Sequence, residues 1–354
     1  MKPVILIAIL LLLNSCVHYS SVREHTFSID YCKDSTFDWD SKIQIEGVIP
    51  LETKDSCLLS YARKCIVTDT KIIYYDEKQK SIFVFDDTGI FLYGIDALGG
   101  GEGEYTMIKD VIMSYDKKAV LILDNVSILA FDAETGQFQY RIALDEHIAS
   151  DFYQFANVDK DLFYFWSMDK ENCLYSYENG KIDAVQKRTG FPYVCQKFFY
   201  DSAGVLNFLP DYGSFNVMEI KNRQLQTKYI VDFGRWTLPK DLIPVNTTEF
   251  NESDSKPFFK CISSAFETDK NIYLSTVSPD LSLYNICIDK YTKEVISGNQ
   301  DKNAPVVVVN AVGEYFYGIL YPFFFSGDDQ FSKEIRKYGK NEESNPLVIK
   351  FTFK

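Results

Sequence analysis

The sequence predicts an all-β protein, a six-bladed β-propeller whose ring is closed by an N-terminal strand pairing with the C-terminal blade. Three observations carry that reading. First, residues 71–105 hold three β-branched and aromatic runs, 72–75, 82–85 and 91–95, separated by polar turns and followed by a Gly-rich connector, which is how strands of one blade read. Second, a turn of the FDxxTG kind recurs, preceded by Phe85, Phe131, Tyr177, Ile220 and Ile288 at spacings of 46, 46, 43 and 68 residues. A four-stranded blade takes about 40 to 50 residues, so the last spacing holds one blade plus an insertion, legible at 236–256 as prolines, acids and asparagines. Third, the C-terminal region supplies only three strand-like runs, 306–309, 314–320 and 347–353, while the alternating run 42–51 is free to be the fourth. Closure of that kind leaves no unpaired blade edge to aggregate.

Taken in order, the chain opens with Lys2 and an apolar run, 4–13, about half of the roughly 20 residues that span a bilayer as a helix. Residues 1–15 therefore read as a signal peptide. Leu13-Asn14-Ser15-Cys16 resembles the lipobox of bacterial lipoproteins, and that resemblance implies cleavage before Cys16 and acylation of it. Multiple acyl chains then hold the protein to a membrane, outside the cytoplasm. Residues 16–41 are polar and irregular and read as a lipidated tether and lead-in, so deleting 17–31 is expected to leave the melting temperature nearly unchanged. Residues 42–354 form the propeller, and within its last blade DQFSKEIRKYG predicts a short helix riding on the surface.

The formal net charge of -13 becomes -14 when the signal and its single lysine are removed. No cluster of Lys and Arg is present to displace counterions from phosphates, so nucleic acid is excluded as a partner class. Once Cys16 is acylated, seven cysteines remain, with no CxxC and no Cys/His set of zinc spacing. They read mainly as small core residues, with one structural disulfide as the alternative. His18 and His25 fall in the tether, leaving His147 for any acid–base chemistry. There is no HExxH, no GxSxG and no EF-hand loop.

The run VIPL at 48–51, the strand around Phe83 to Asp86, GGGEGEY at 99–105 and the closing NPLVI at 345–349 resemble six-bladed propeller lipoproteins of Gram-negative gut bacteria. These are grouped in domain-of-unknown-function families near the NHL and TolB-like propellers. GGGEGEY is similar to a G-R-G-P-G-E-Y pattern of those families but has Gly100 for Arg and Glu102 for Pro, which removes the arginine that could hold an anion there. The resemblance implies a fold and an envelope location, and no activity.

In a propeller, the loops joining strands two and three, and those joining one blade to the next, gather on one face around the channel, where ligands usually bind. That face is expected to carry Glu102 and Glu104 of the Gly-rich loop, Trp166, Arg188, Tyr193, Tyr212, Arg235 and Trp236, and the aromatic run 321–325. Aromatic platforms flanked by acids and amides suit sugars or peptides. Tyr105 reads as a wedge between blades. The function expected is a non-catalytic binding or scaffold module, tethered through Cys16 to the periplasmic side of the outer membrane, with a glycan, peptide or envelope protein as ligand. Two alternatives stand beside it: a calcium-dependent hydrolase or lactonase using channel carboxylates, and a structural factor in envelope assembly. The first of them makes calcium the one cofactor to consider; no other metal site is indicated.

Overall fold

The structure, a computed structural model, describes residues 26–303, 305–338 and 344–354. The signal peptide, the lipobox with Cys16, His18 and His25 lie outside the described residues. No helix among those described is long and apolar enough to cross a membrane.

The described residues begin with a strap that runs around the outside of the ring: β1 (Thr26–Ser28), β2 (Thr36–Phe37), the one-turn helix α1 (Trp39–Lys42) and β3 (Ile43–Pro50). Blade 1 follows as β4 (Ala62–Val67), β5 (Lys71–Asp76), β6 (Ser81–Asp86) and β7 (Phe91–Ile95), and blade 2 as β8 (Asp110–Met113), β9 (Ala119–Leu123), β10 (Ser127–Asp132) and β11 (Phe138–Ala143). After helix α2 (Glu146–Ala149), blade 3 comprises β12 (Phe152–Asp159), β13 (Leu162–Ser167), β14 (Asn172–Glu178) and β15 (Lys181–Lys187). Blade 4 is β16 (Phe198–Tyr200), β17 (Leu206–Phe208), β18 (Asn216–Lys221) and β19 (Gln224–Asp232); helix α3 (Thr247–Asp254) lies in the insertion before blade 5, β20 (Ile262–Glu267), β21 (Asn271–Val277), β22 (Leu283–Asp289) and β23 (Val295–Gln300). Blade 6 holds β24 (Val307–Val312), β25 (Tyr315–Leu320), helix α4 (Gln330–Arg336) and β26 (Leu347–Phe353).

The middle strands of the blades, such as KIIYYD, SIFVFD, AVLIL and LFYFWS, are buried along almost their whole length, because each is covered on both faces by neighbouring blades. The outer strands β7, β11 and β15 are mostly half-buried or exposed instead. Six hydrophobic clusters result, one at each junction between blades. The recurring turn landmark has a simple cause. Each of Phe85, Phe131, Tyr177, Ile220 and Ile288 is an inward residue near the end of a third strand. In blades 1, 2 and 5 the following Asp86, Asp132 and Asp289 accept hydrogen bonds from the turn amides. Blade 1 starts earlier than the repeat pattern indicates: its inner strand β4 precedes residue 71.

The ring closes as the sequence predicts. Strand β3 pairs antiparallel with β26, from Leu347 opposite Pro50 to Phe353 opposite Ile43, and becomes the outer strand of blade 6. Asn345 fastens the junction. Its Nδ2 donates to the carbonyls of Glu52 at 2.7 Å and Cys57 at 2.8 Å, and its Oδ1 accepts from the Leu59 amide at 2.9 Å.

Two expectations change. Within the lead-in, residues 26–41 form a strap: β1 adds a parallel fifth strand to β19 of blade 4, and β2 does the same to β23 of blade 5. The strap's own Phe27, Ile29, Phe37 and Trp39 are buried, so deletion through residue 31, which removes Phe27 and Ile29, must cost stability. β2 passes close over Gly298 of β23; a Cβ there would lie 2.6 Å from the Phe37 nitrogen. Helix α4 does more than ride on the surface, since Phe331 and Ile335 pack into the blade 5–6 cluster beside Trp39 and Phe325.

Candidate functional site

The inner strands β4, β8, β12, β16, β20 and β24 line a central channel of about 770 Å³. Its wall is held in register by side chains that reach from one blade to the next. Lys64 of blade 1 pairs with Asp110 of blade 2 at 2.7 Å, and the other Asp110 oxygen accepts the Phe155 amide of blade 3 at 3.1 Å. The Gln154 carboxamide donates to Cys195 O at 2.6 Å and accepts from Lys197 N at 2.9 Å. Gln196 accepts from Ala265 N of blade 5 at 3.3 Å.

The three acidic residues of the wall each hold an ammonium group. Asp110 has Lys64, Asp201 has Lys228 at 2.8 Å, and Glu267 has Lys228 at 2.6 Å and Lys290 at 2.7 Å. Lys109 is tied to the carbonyls of Asn125 and Ser150 at 3.0 and 2.8 Å, and burial pulls its ammonium below the ordinary value. Arg63 lies exposed on the wall, where β4 bulges away from β5, and forms no salt bridge among the described residues. Among the described residues no three His, Cys, Asp or Glu side chains converge on a point that could hold a metal.

At the mouth formed by blades 6 and 1, an aromatic platform stands open. Tyr61 is 68% exposed and stacks on Tyr321 with centroids 6.4 Å apart and planes 6° from parallel. Exposed Phe323 and Phe324 each lie 6.1 Å from Tyr321. Tyr321 is held from behind, since its hydroxyl accepts from Ala62 N at 3.3 Å and shares a hydrogen bond with Tyr74 at 3.1 Å.

The residues singled out from sequence go to three places. Trp166, Arg188, Tyr193 and Tyr212 come together, but in a packed cluster between blades 3 and 4. There Asp211 accepts from Trp166 Nε1 at 2.8 Å, pairs with Arg188, and accepts from Lys197 Nζ at 3.1 Å. Arg188 also donates to the carbonyls of Ser167 and Asp169. Trp166, Arg188, Lys197, Asp211 and Tyr212 are buried, and Phe250 of α3 covers Tyr193 and Tyr212. Burial pushes both tyrosines up to about 12.

Glu102 and Glu104 lie away from the channel. Their loop sits over the outer strand of blade 2, where Gly103 abuts Phe138, Glu104 accepts its own loop's Gly101 amide at 2.8 Å, and Arg141 donates to Glu104 O. Glu102 is exposed. Tyr105 is fully buried in the blade 1–2 cluster, donating to Lys80 O at 2.8 Å. Arg235 is exposed over the Trp236 ring at 5.1 Å, and Trp236 packs edge-on against Tyr31 of the strap. Sequence reasoning missed Tyr61, Arg63 and Cys195. They lie on inner strands or their lead-ins, and a short irregular segment such as YARKCIV gives little period to read.

Solved structures share this architecture. A Bacteroides fragilis protein described as exported superposes with a TM-score of 0.76 at 15% identity, covering 93% of this chain and 99% of that one. A DUF4221 family member from Bacteroides vulgatus gives 0.57 at 11% identity over 89% and 99% of the two chains. A protein of unknown function from Bacteroides thetaiotaomicron gives 0.51 at 9% identity over 88% and 76%. At these identities the likeness concerns the fold. No curated protein sequence matches the chain. The match that does extend along the propeller, over residues 40–352, is to the family described as domain of unknown function DUF4934, and the protein belongs to that family.

Proposed function

We propose that this protein is a non-catalytic binding module of the cell envelope, tethered through acylated Cys16 on the periplasmic side of the outer membrane, whose channel mouth takes a glycan bearing an acidic group. The observation that carries this is the open platform of Tyr61, Tyr321, Phe323 and Phe324 beside Arg63. Stacked aromatic rings offer an apolar face to a sugar ring while amides and hydroxyls meet its polar edge. Ser263 provides a hydroxyl of that kind farther along the wall. Arg63, which forms no salt bridge among the described residues, adds a cation to a protein whose net charge is -13, and a guanidinium suits a carboxylate or sulfate. Envelope placement is supported by the lipobox-like segment and by the likeness to an exported protein. For the calcium-dependent reading, Asp110, Asp201 and Glu267 would first have to give up their ammonium partners.

The test is a glycan array followed by calorimetry on the best binder. Tyr61→Ala is expected to weaken binding by about 2- to 10-fold, as loss of one stacking contact does, and Arg63→Gln to abolish the preference for acidic over neutral glycans. An array without retained acidic glycans, or an Arg63→Gln variant with unchanged preference, would overturn the assignment. Cys16→Ser should move the protein to the soluble fraction. Digestion of the propeller by protease added to intact cells would overturn the periplasmic placement.

A further inference from the structure

Cys195 and Cys261 sit on different blades and face each other. Cys195 lies in the connector leading into blade 4, and Cys261 immediately precedes β20 of blade 5. Gln196 N donates to Ser263 O at 3.0 Å, which locks the two segments side by side, and Cys195 Sγ lies 3.6 Å from Ile262 O. The two thiols are close enough to hydrogen-bond each other. Neither is in a disulfide. Cys195 is partly exposed and lines the channel, whereas Cys261 is buried behind it.

The electrostatics around Cys195 are asymmetric. Lys197, two residues on and fully buried, shares Asp211 with Arg188, so two cations face one carboxylate. A thiolate at Cys195 neutralises the surplus charge. The hydrogen bond from Cys261 and then the charge of Lys197 bring the Cys195 thiol down to about 7 against the opposing effect of burial. Lys197 in turn is raised: burial would lower it, but Cys195 and Asp211 outweigh that. The other titratable groups facing the pair are the phenols of Tyr193 and Tyr212, both pushed up to about 12 by burial, with Asp254 acting on both phenols.

We propose that Cys195 and Cys261 form a thiol–disulfide exchange site opening onto the central channel, its substrate a disulfide carried by a small molecule or a peptide. The Cys195 thiolate attacks one sulfur of the substrate disulfide, forming a mixed disulfide and releasing one substrate thiolate. That thiolate takes the proton that Cys261 gives up. The Cys261 sulfur then attacks Cys195, expels the second substrate thiolate, which is protonated from solvent, and leaves a Cys195–Cys261 disulfide. Two cysteines are oxidised by two electrons and the substrate disulfide is reduced to two thiols. The product staples blade 4 to blade 5. An accessible thiolate in front of a buried resolving thiol is the order this chemistry needs.

The experiment uses the full chain carrying Cys16→Ser and Cys32→Ser, so that neither the tether thiol nor the exposed Cys32 reacts. One arm adds glutathione disulfide and the other a short peptide with an internal disulfide; peptide mapping without reduction reads the product. Expected is a Cys195–Cys261 cross-link in at least one arm, the reacting arm naming the source. Cys261→Ser should stop at a mixed disulfide on Cys195, and Cys195→Ser should give neither product. Alkylation of Cys195 should follow an ionisation near pH 7. At that pH the thiolate is roughly 16-fold more populated than for an ordinary thiol ionising at about 8.5, and lower nucleophilicity takes back about 5-fold, leaving about 3-fold faster reaction. A cross-link between other cysteines, no cross-link in either arm, or an alkylation midpoint above about 8.5, the ordinary thiol value, would overturn the proposal.

Discussion

Replacing Asn345 by Ala tests whether the ring is held shut where the two ends of the chain meet. The side chain is 3% exposed and makes three hydrogen bonds to the backbone of Glu52, Cys57 and Leu59. Asn345→Ala removes all three and leaves the Leu59 N–H and the Cys57 carbonyl without that partner, while the Glu52 carbonyl keeps only the Cys57 thiol at 3.2 Å. At about 1 kcal/mol net for each hydrogen bond, and more where a buried group is orphaned, the loss should be about 3 kcal/mol. For a chain of this size that corresponds to roughly 4 °C in Tm. Asn345→Asp keeps the acceptor towards Leu59 but sets a carboxylate against two carbonyl oxygens. It should melt below the Ala variant at pH 7 and recover when acid protonates it. Scanning calorimetry reads both, and hydrogen exchange at the Leu59 amide locates the effect. An Asn345→Ala protein melting within about 1 °C of the parent, a shift too small for three lost bonds, would refute this account of closure.

Asp211→Asn should destabilise by about 3–5 kcal/mol, because it leaves Arg188 and Lys197 as uncompensated buried cations; urea unfolding measures it. Gly298→Val should lift the strap off blade 5, since even a Cβ meets Phe37 N at 2.6 Å, and limited proteolysis should then cut between residues 29 and 38. A chain starting after Leu51 should lose the outer strand of blade 6 and aggregate through the exposed β26 edge; size-exclusion chromatography decides. Asp76 is buried; burial would raise its carboxyl, but hydrogen bonds from Ser60 and Gln79 hold it below the ordinary 3.8. Its contribution is therefore full above about pH 4 and lost as pH falls through the depressed value. Asp76→Asn should be less stable than the parent at pH 7, with the difference closing in acid denaturation series below pH 4.

Function was harder to read than fold, and the reason is visible in particular residues. Trp166, Arg188, Tyr193 and Tyr212 were legible as loop residues of one face, and they do converge. Whether a loop aromatic points to solvent or into a junction depends on what packs over it, here Phe250 of an insertion whose path no local pattern sets. Tyr61 gave no signal because its exposure comes from standing beside Tyr321, 260 residues away in sequence.

By itself the sequence determined the blade repeat, the closure of the ring by residues 42–51 and the wedge at Tyr105. These follow from local alternation, from polar turns recurring at about one blade length and from counting strands. Only the tertiary structure decided that the strap is a pair of parallel edge strands, that one acid must serve Arg188 and Lys197 together, and that Cys195 meets Cys261. Each of these joins segments from different blades. Their geometry is set by the closing of the ring, which brings every inner strand to one axis.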